Sequence, residues 1–212
     1  ERKGLEMTNV ERESKDDASK SQDLRPFIVI GAGGHAVSVA NVALSSGYKI
    51  HHFADKNKNG SDLLGHKIIS DIGDLKDIDS YSFGIAVGDN AMRESKYNEL
   101  IAKYPSLHFP ALIHQSATVC LFSNIGCGTV VMPNAVIGPN SKVGKFCLIN
   151  TQASIDHDCV MLDYSSLAPS SVTGGTVQIG IRSAVSIGAT IKHGLKIGND
   201  SVVGANSYLN KD

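Results

Sequence analysis

An excess of charge of either sign is the first thing missing from this sequence. Twenty Lys and Arg stand against 21 Asp and Glu, a formal net charge of −1 over 212 residues. No broad field therefore steers the chain toward nucleic acid or an anionic membrane, and any anionic ligand must be held by local donors. Long hydrophobic runs are missing too. None approaches the roughly 20 residues of a bilayer-spanning helix, and the N-terminus has no apolar segment of the secretory kind. These absences predict a soluble, cytoplasmic protein with no nucleic-acid partner and no membrane insertion. Cysteine is sparse, with Cys120, Cys127, Cys147 and Cys159 all in the second half and no CxxC pair. Three of them sit beside small or apolar residues, which predicts packing thiols in a reducing compartment rather than a disulfide framework or a metal site.

What is present is a 42% apolar content, enough to fill a core. Residues 1–25 are charged, nearly free of apolar side chains and begin at Glu rather than Met, which reads as a polar leader or tail, trimmed or tagged. A small α/β unit follows over 26–110. Phe27 to Ile30 predicts a strand, Gly31-Ala32-Gly33-Gly34-His35-Ala36 a glycine turn, and Val37, Val39, Ala40, Val42, Ala43 and Leu44 a helix closed by Gly47. Tyr48 to Ala54 predicts a second strand with Asp55 at its end. Phe83 to Val87 predicts a third, entering Gly88-Asp89-Asn90 and a polar-faced helix from about Ala91 to Tyr104. The expected class is a small Rossmann-like α/β domain with an open, mostly parallel sheet.

The turn fits G-x-G-x-x-G/A between strand and helix, and Asp55 follows 24 residues after Gly31. Alone, that pattern points to NAD. Only 26–110 precede the next pattern, however, too short for both halves of a dinucleotide fold, so one mononucleotide moiety fits better. Glycines let a phosphate approach the N–H groups at the helix start, while the later carboxylate accepts from ribose or base. A tight strand–helix turn with no ligand is the alternative. Gly88, Asp89, Asn90 and Arg93 form a second candidate rim, and a turn with a helix cap explains them equally well.

From Ile113 onward a different rule holds. Stepping by six from Ile113 to Leu209, sixteen of seventeen residues are aliphatic or Met, with Thr173 the exception. The residue two places earlier is usually small, and Gly commonly follows. Neither 3.6 nor 2 produces a period of six, whereas a prism of short parallel strands turning every six residues does, with three hexapeptides per triangular coil. Residues 18 apart then stack one strand spacing apart, roughly 4.8 Å. His157, Gly175 and His193 form such a column, placing an imidazole beside an exposed backbone N–H. An imidazole beside an exposed backbone N–H offers an acceptor for a proton and a donor for a developing oxyanion. Thr173-Gly174-Gly175 interrupts the aliphatic pattern and predicts irregular backbone beside the histidine. By the repeat pattern alone His157 is equally a solvated corner residue. His193, about 9.6 Å away by the same spacing, reads as a surface residue or groove neighbour.

Over 27–212 the six-residue repeat, the GAGGHA turn and the run Ile149-Asn-Thr-Gln-Ala-Ser-Ile-Asp-His-Asp-Cys159 together resemble the hexapeptide-repeat acyltransferases. More narrowly, they resemble the acetyltransferases of bacterial nucleotide-activated amino sugars or sialic acid. The resemblance implies a left-handed parallel β-helix over 111–212, against the usual right-handed crossover. It also implies acetyl-CoA as cosubstrate and a homotrimer with CoA lying between neighbouring β-helices. In that family the glycine turn binds the nucleotide, which points to Gly31, Gly33, Gly34, His35 and Asp55 with the Gly88, Asp89 and Asn90 rim. His157 corresponds to the catalytic base, Asp158 to its orienting partner and Asn150 to a polar group near the acceptor. Adjacent residues in an ideal strand point oppositely, so the His157–Asp158 pair requires a corner conformation. Gly175 would donate to the oxyanion, and Ser166, Gly175, Lys192 and Ala205 stand at cofactor-side positions. Several relatives carry a second histidine where this chain has Ser166, whose hydroxyl donates one hydrogen bond but never as an imidazolium. The implied activity is N-acetylation of a nucleotide-linked 4-amino-4,6-dideoxyhexose for surface glycan synthesis. O-acetylation of sialic acid and a non-catalytic sugar-nucleotide-binding solenoid are the alternatives.

Overall fold

A computed structural model describes residues 25–211; the rest of the polar leader and Asp212 lie outside the described residues. The first unit comprises β1 (Phe27–Ile30), α1 (Gly34–Ser45), β2 (Ile50–Ala54), β3 (Asp62–Leu63), β4 (His66–Ile69), β5 (Ser82–Ile85) and α2 (Asn90–Lys103). Its sheet has the order β3-β4-β2-β1-β5, parallel except for β3 against β4. Central β1 is buried along its whole length, as its unbroken apolar run requires of a strand covered on both faces. Helix α1 buries Ala36, Val39, Ala40, Val42 and Ala43, small side chains that let it lie close to the sheet, while Val37 and Leu44 stay exposed. The second strand begins at Ile50 rather than Tyr48, because the Tyr48 N–H is taken by Ala43 O at the end of α1. The β3–β4 hairpin carries too little apolar alternation to be anticipated.

The second unit is built of seventeen two-residue strands, one every six residues, from β6 (Leu112–Ile113) to β22 (Tyr208–Leu209). They sort into three parallel sheets: face I from β6 to β21, face II from β7 to β22 and face III from β8 to β20. The second residue of each strand points inward, so the aliphatic column becomes a continuous core containing Val131, Ile137, Ile149, Leu167 and Ile191. At the corners, every sixth residue from Phe122 to Asn206 has a left-handed φ between 51° and 76°, although only Gly128, Gly188 and Gly194 among them are glycine. Hydrogen bonds to the adjacent coils hold these residues in a region L side chains otherwise avoid. The glycine that follows the aliphatic position lets successive coils approach closely, since a Cβ at Gly126 would run into the backbone of Gly144 one coil away.

The α/β unit sits on face I. Leu112, Val130 and Leu148, which point outward there, are buried in one cluster with α1 and β2 residues. At the corner between faces III and I, Phe146 and Tyr164 stack on each other and meet Tyr97 and Phe109 in tilted and edge-on contacts. The corner between faces II and III therefore lies on the far side of the prism from the α/β unit. Of the cysteines, Cys147 and Cys159 are buried, and burial pushes the Cys147 thiol up to about 11. Cys127 is exposed and Cys120 intermediate, which corrects the packing role expected of them: both stand at corners of the prism, whereas Cys147 and Cys159 belong to its core. Among the described residues no helix is long and apolar enough to cross a membrane.

Candidate active site

His157 lies between β13 (Ser154–Ile155) and β14 (Val160–Met161), at the corner of faces II and III. The next residue, Asp158, has φ 57°, and this left-handed turn places its carboxylate beside the preceding ring, with Oδ2 at 2.7 Å from His157 Nδ1. Asn140, one coil below, donates to Asp158 Oδ1 at 3.3 Å. The Asp158 carboxylate, followed by Asp156, raises the His157 pKa, and the histidine in turn lowers that of Asp158. With Nδ1–H directed at Asp158, Nε2 is the acceptor left open on a half-exposed ring. Asn140 is absent from the residues that sequence reasoning singles out, though it stands 18 residues before Asp158 and the coil arithmetic applied to Asp158 finds it.

The ring packs over Gly175: a Cβ there would overlap the imidazole at Nε2 and Cε1. Among the described residues the Gly175 N–H has no hydrogen-bond partner. Two residues earlier, at Thr173, the ladder is broken, since β16 (Val172–Thr173) pairs with β13 only at Ser154 and Val172 where neighbouring rungs have two pairs. Thr173 still points inward and is buried, with Oγ1 3.6 Å from Cys159 Sγ. Lys192 and His193 are exposed on the same edge one coil further on.

A second feature lies in the α/β unit. Outside the C-terminal ends of β1, β2 and β5 is a cavity of about 400 Å³ whose lining includes Gly31, Asp55, Val87, Met92 and Lys96. The strand order reverses between β1 and β5, the place where open α/β sheets bind ligands. Gly31 adopts φ 111° with Ala86 O so close that a side chain would be strained. Gly33 is the N-cap of α1 and makes no side-chain cap, and Cβ atoms at Gly33 and Gly34 would meet nothing within 4 Å. The start of α1 is thus an open cradle of N–H groups at the positive end of a helix. Asp55 accepts from Ala32 N at 3.1 Å and Asn57 N at 3.0 Å, locking the turn to the cavity wall. His35 is partly buried, and that burial, with Arg93 second, lowers its pKa.

The remaining predicted residues are dispersed. Asp89 caps α2 through Met92 N at 2.8 Å, and a Cβ at Gly88 would face open space. The Asn90 amide lies inside the protein, donating toward Ser166 Oγ, Arg182 O and Ser183 O and accepting from Arg93, so it has no donor for a ligand. Ser166 points outward on face I yet is buried under that amide. Asn150 stands at the corner of faces I and II, its Oδ1 accepting from Thr151 N, and Ala205 shares that corner. One chain therefore brings His157, Asp158, Gly175 and Lys192 to one edge, Asn150 and Ala205 to another, and Ser166 to the face between the prism and the α/β unit.

A glycine-turn α/β unit mounted on a hexapeptide prism with an edge histidine defines a class of sugar acyltransferases. The family model of the PglD N-terminal domain matches residues 26–100. The acetyltransferase domain of PglB from Neisseria gonorrhoeae, solved with acetyl coenzyme A, superposes with a TM-score of 0.80 at 30% identity, covering 89% of this chain and 93% of that one. PerB from Caulobacter crescentus, solved with CoA and GDP-perosamine, superposes with a TM-score of 0.80 at 29% identity, covering 88% of this chain and 89% of that one. GDP-perosamine N-acetyltransferase from Escherichia coli O157:H7 is 27% identical over 142 residues, 67% of this chain; the match spans 62% of that relative's length. The chain belongs to the hexapeptide-repeat sugar acetyltransferases, and its prism is their left-handed β-helix.

Proposed function

We propose that this protein transfers acetyl from acetyl-CoA to the amine of a nucleotide-linked amino sugar, a 4-amino-4,6-dideoxyhexose, for surface glycan synthesis in the bacterial cytoplasm. The observation that carries the reading is the His157 edge: an imidazole oriented by Asp158, with Nε2 open over a glycine whose N–H has no partner among the described residues. When bound, acetyl-CoA supplies a thioester carbonyl as acyl donor, and the open edge at Gly175 fits such a group. His157 Nε2 accepts the proton of the attacking amine. Asp158 keeps the Nδ1 tautomer and stabilises the imidazolium. The Gly175 N–H donates to the oxygen on which charge develops. The cradle of Gly33 and Gly34 at the start of α1 holds phosphate, and Asp55 borders the nucleoside cavity.

We further propose a homotrimer in which each site is shared. The α/β unit lies over face I and His157 on the opposite edge, so sugar held by one copy meets the histidine of the next. The same closure accounts for the dispersal of Ser166, Asn150 and Ala205 away from His157. The test is thiol release from acetyl-CoA with a panel of GDP-, UDP- and dTDP-linked 4-amino sugars plus sialic acid. Turnover of one amino sugar, lost in His157→Ala, is the expected result. Turnover of sialic acid alone makes the protein an O-acetyltransferase, and silence with retained nucleotide binding makes it a binding module.

A further inference from the structure

Arg93 is 3% exposed, and its guanidinium faces no carboxylate within hydrogen-bonding distance among the described residues. A buried charge without an ion-pair partner is costly unless its donors are satisfied, and here they are. Nε donates to Phe146 O at 2.8 Å and Nη2 to Tyr164 O at 2.9 Å. Nη1 donates to Val87 O at 2.9 Å and Gly88 O at 3.0 Å, and Nη2 also meets Asn90 Oδ1 at 2.6 Å. Asn90 continues the series by donating to Arg182 O at 3.0 Å. Phe146, Tyr164 and Arg182 are spaced 18 and 18, so the three carbonyls belong to three successive coils at one corner of the prism. Asn90 and Arg93, one turn apart on α2, read that column rung by rung. The loop they hold is the rim of the α/β site, since Val87 lines the nucleoside cavity and Gly88 a smaller hollow beside Ser166.

We infer that the Asn90–Arg93 pair is a positioning device that sets the height of the α/β unit along the prism axis. It holds the Val87–Gly88 rim, and whatever that rim presents, at one coil level. The inference rests on the proposed acetyl transfer for its kinetic consequence but not for its geometry. A slip of one coil would displace the rim by roughly 4.8 Å, beyond the tolerance of an acyl transfer that needs its reacting atoms in near contact. Neither residue touches the reacting atoms, so both are positioning residues. A lysine at 93 keeps the charge but cannot reach the Phe146, Tyr164 and Val87 carbonyls in the fixed geometry of the guanidinium fork.

Two measurements test it. In steady-state kinetics, Arg93→Lys is expected to lower kcat about tenfold or more while the KM for acetyl-CoA and the calorimetric Kd for the nucleoside diphosphate of the turned-over sugar stay within about threefold; Arg93→Met is expected to lose more. An unchanged kcat, or a loss of kcat that only follows a loss of nucleotide affinity, overturns the inference. Spin labels at Lys67→Cys and Lys145→Cys, in a Cys120→Ser, Cys127→Ser background with labelled copies diluted among unlabelled ones, read the offset between the units without substrate. One narrow distance is expected with Arg93 and a broadened or displaced one with Arg93→Met. The same narrow distance in both overturns the inference even if no sugar is turned over, an outcome that by itself counts only against the proposed function.

Discussion

At the residue scale the site is two neighbours held together by backbone geometry. A left-handed φ at Asp158 lets side chains that would point apart in a strand share a hydrogen bond of 2.7 Å. Because the carboxylates of Asp158 and Asp156 favour the imidazolium, the His157 pKa lies above its ordinary 6.5. The general base that His157 is proposed to be must be neutral, so kcat/KM is expected to rise with pH through an inflection above that value. Asp158→Asn removes the largest favourable contact, so the inflection moves to lower pH and the plateau falls, both visible in one pH–rate profile. By linkage, the pair contributes its stability fully between the ordinary pKa of the aspartate and that of the histidine; it is lost as pH rises through the raised histidine value and lost again as pH falls through the lowered aspartate value. Gly175 is the other sensitive residue. Gly175→Ala forces the His157 ring from its seat and is expected to lower kcat about a hundredfold with the thermal midpoint and nucleotide affinity nearly unchanged.

At the scale of the element, α1 and the coils show how local chemistry and function diverge. Gly33 has φ −87° and ψ −171° and faces open space, so an N-cap aspartate fits there without strain. Gly33→Asp is expected to stabilise the fold by about 0.5 kcal/mol, through the cap and a less flexible unfolded chain. The same carboxylate sits where phosphate is proposed to bind, and nucleotide affinity is expected to fall about tenfold or more. Calorimetry of unfolding and of nucleotide binding reads both, and a substitution that leaves affinity intact removes α1 from the site. In the prism, the six-residue aliphatic period was legible because every coil needs one inward side chain per face. The role of its glycines was not, since close approach between coils involves residues 18 apart rather than neighbours.

The whole molecule decides which predicted residues can meet. Within one chain the α/β unit covers face I, and the histidine edge lies opposite. If sites are shared between copies, an equal mixture of refolded His157→Ala and Gly33→Asp chains assembles sites with one intact histidine edge facing one intact cradle. At sugar-nucleotide concentrations well below KM such a mixture is expected to recover about one quarter of wild-type turnover, whereas His157→Ala alone is inactive and Gly33→Asp alone retains about a tenth or less. A mixture no more active than the average of its parents places the whole site within one chain.

The sequence by itself determined the two-unit order, the glycine turn, the hexapeptide prism and the His157–Gly175–His193 column. Each of these is written in local propensity or in a strict period, and periodicity survives without knowledge of distant contacts. Only the tertiary structure decided that Asn90 and Arg93 belong to the joint between the units, that Ser166 lies beneath that joint and that Asn150 stands on another edge from His157. Those facts depend on which face of the prism the α/β unit covers. That choice is made by outward-pointing Leu112, Val130 and Leu148 and by the carbonyls of corner residues, and side-chain identity does not encode where a backbone oxygen will find its donor.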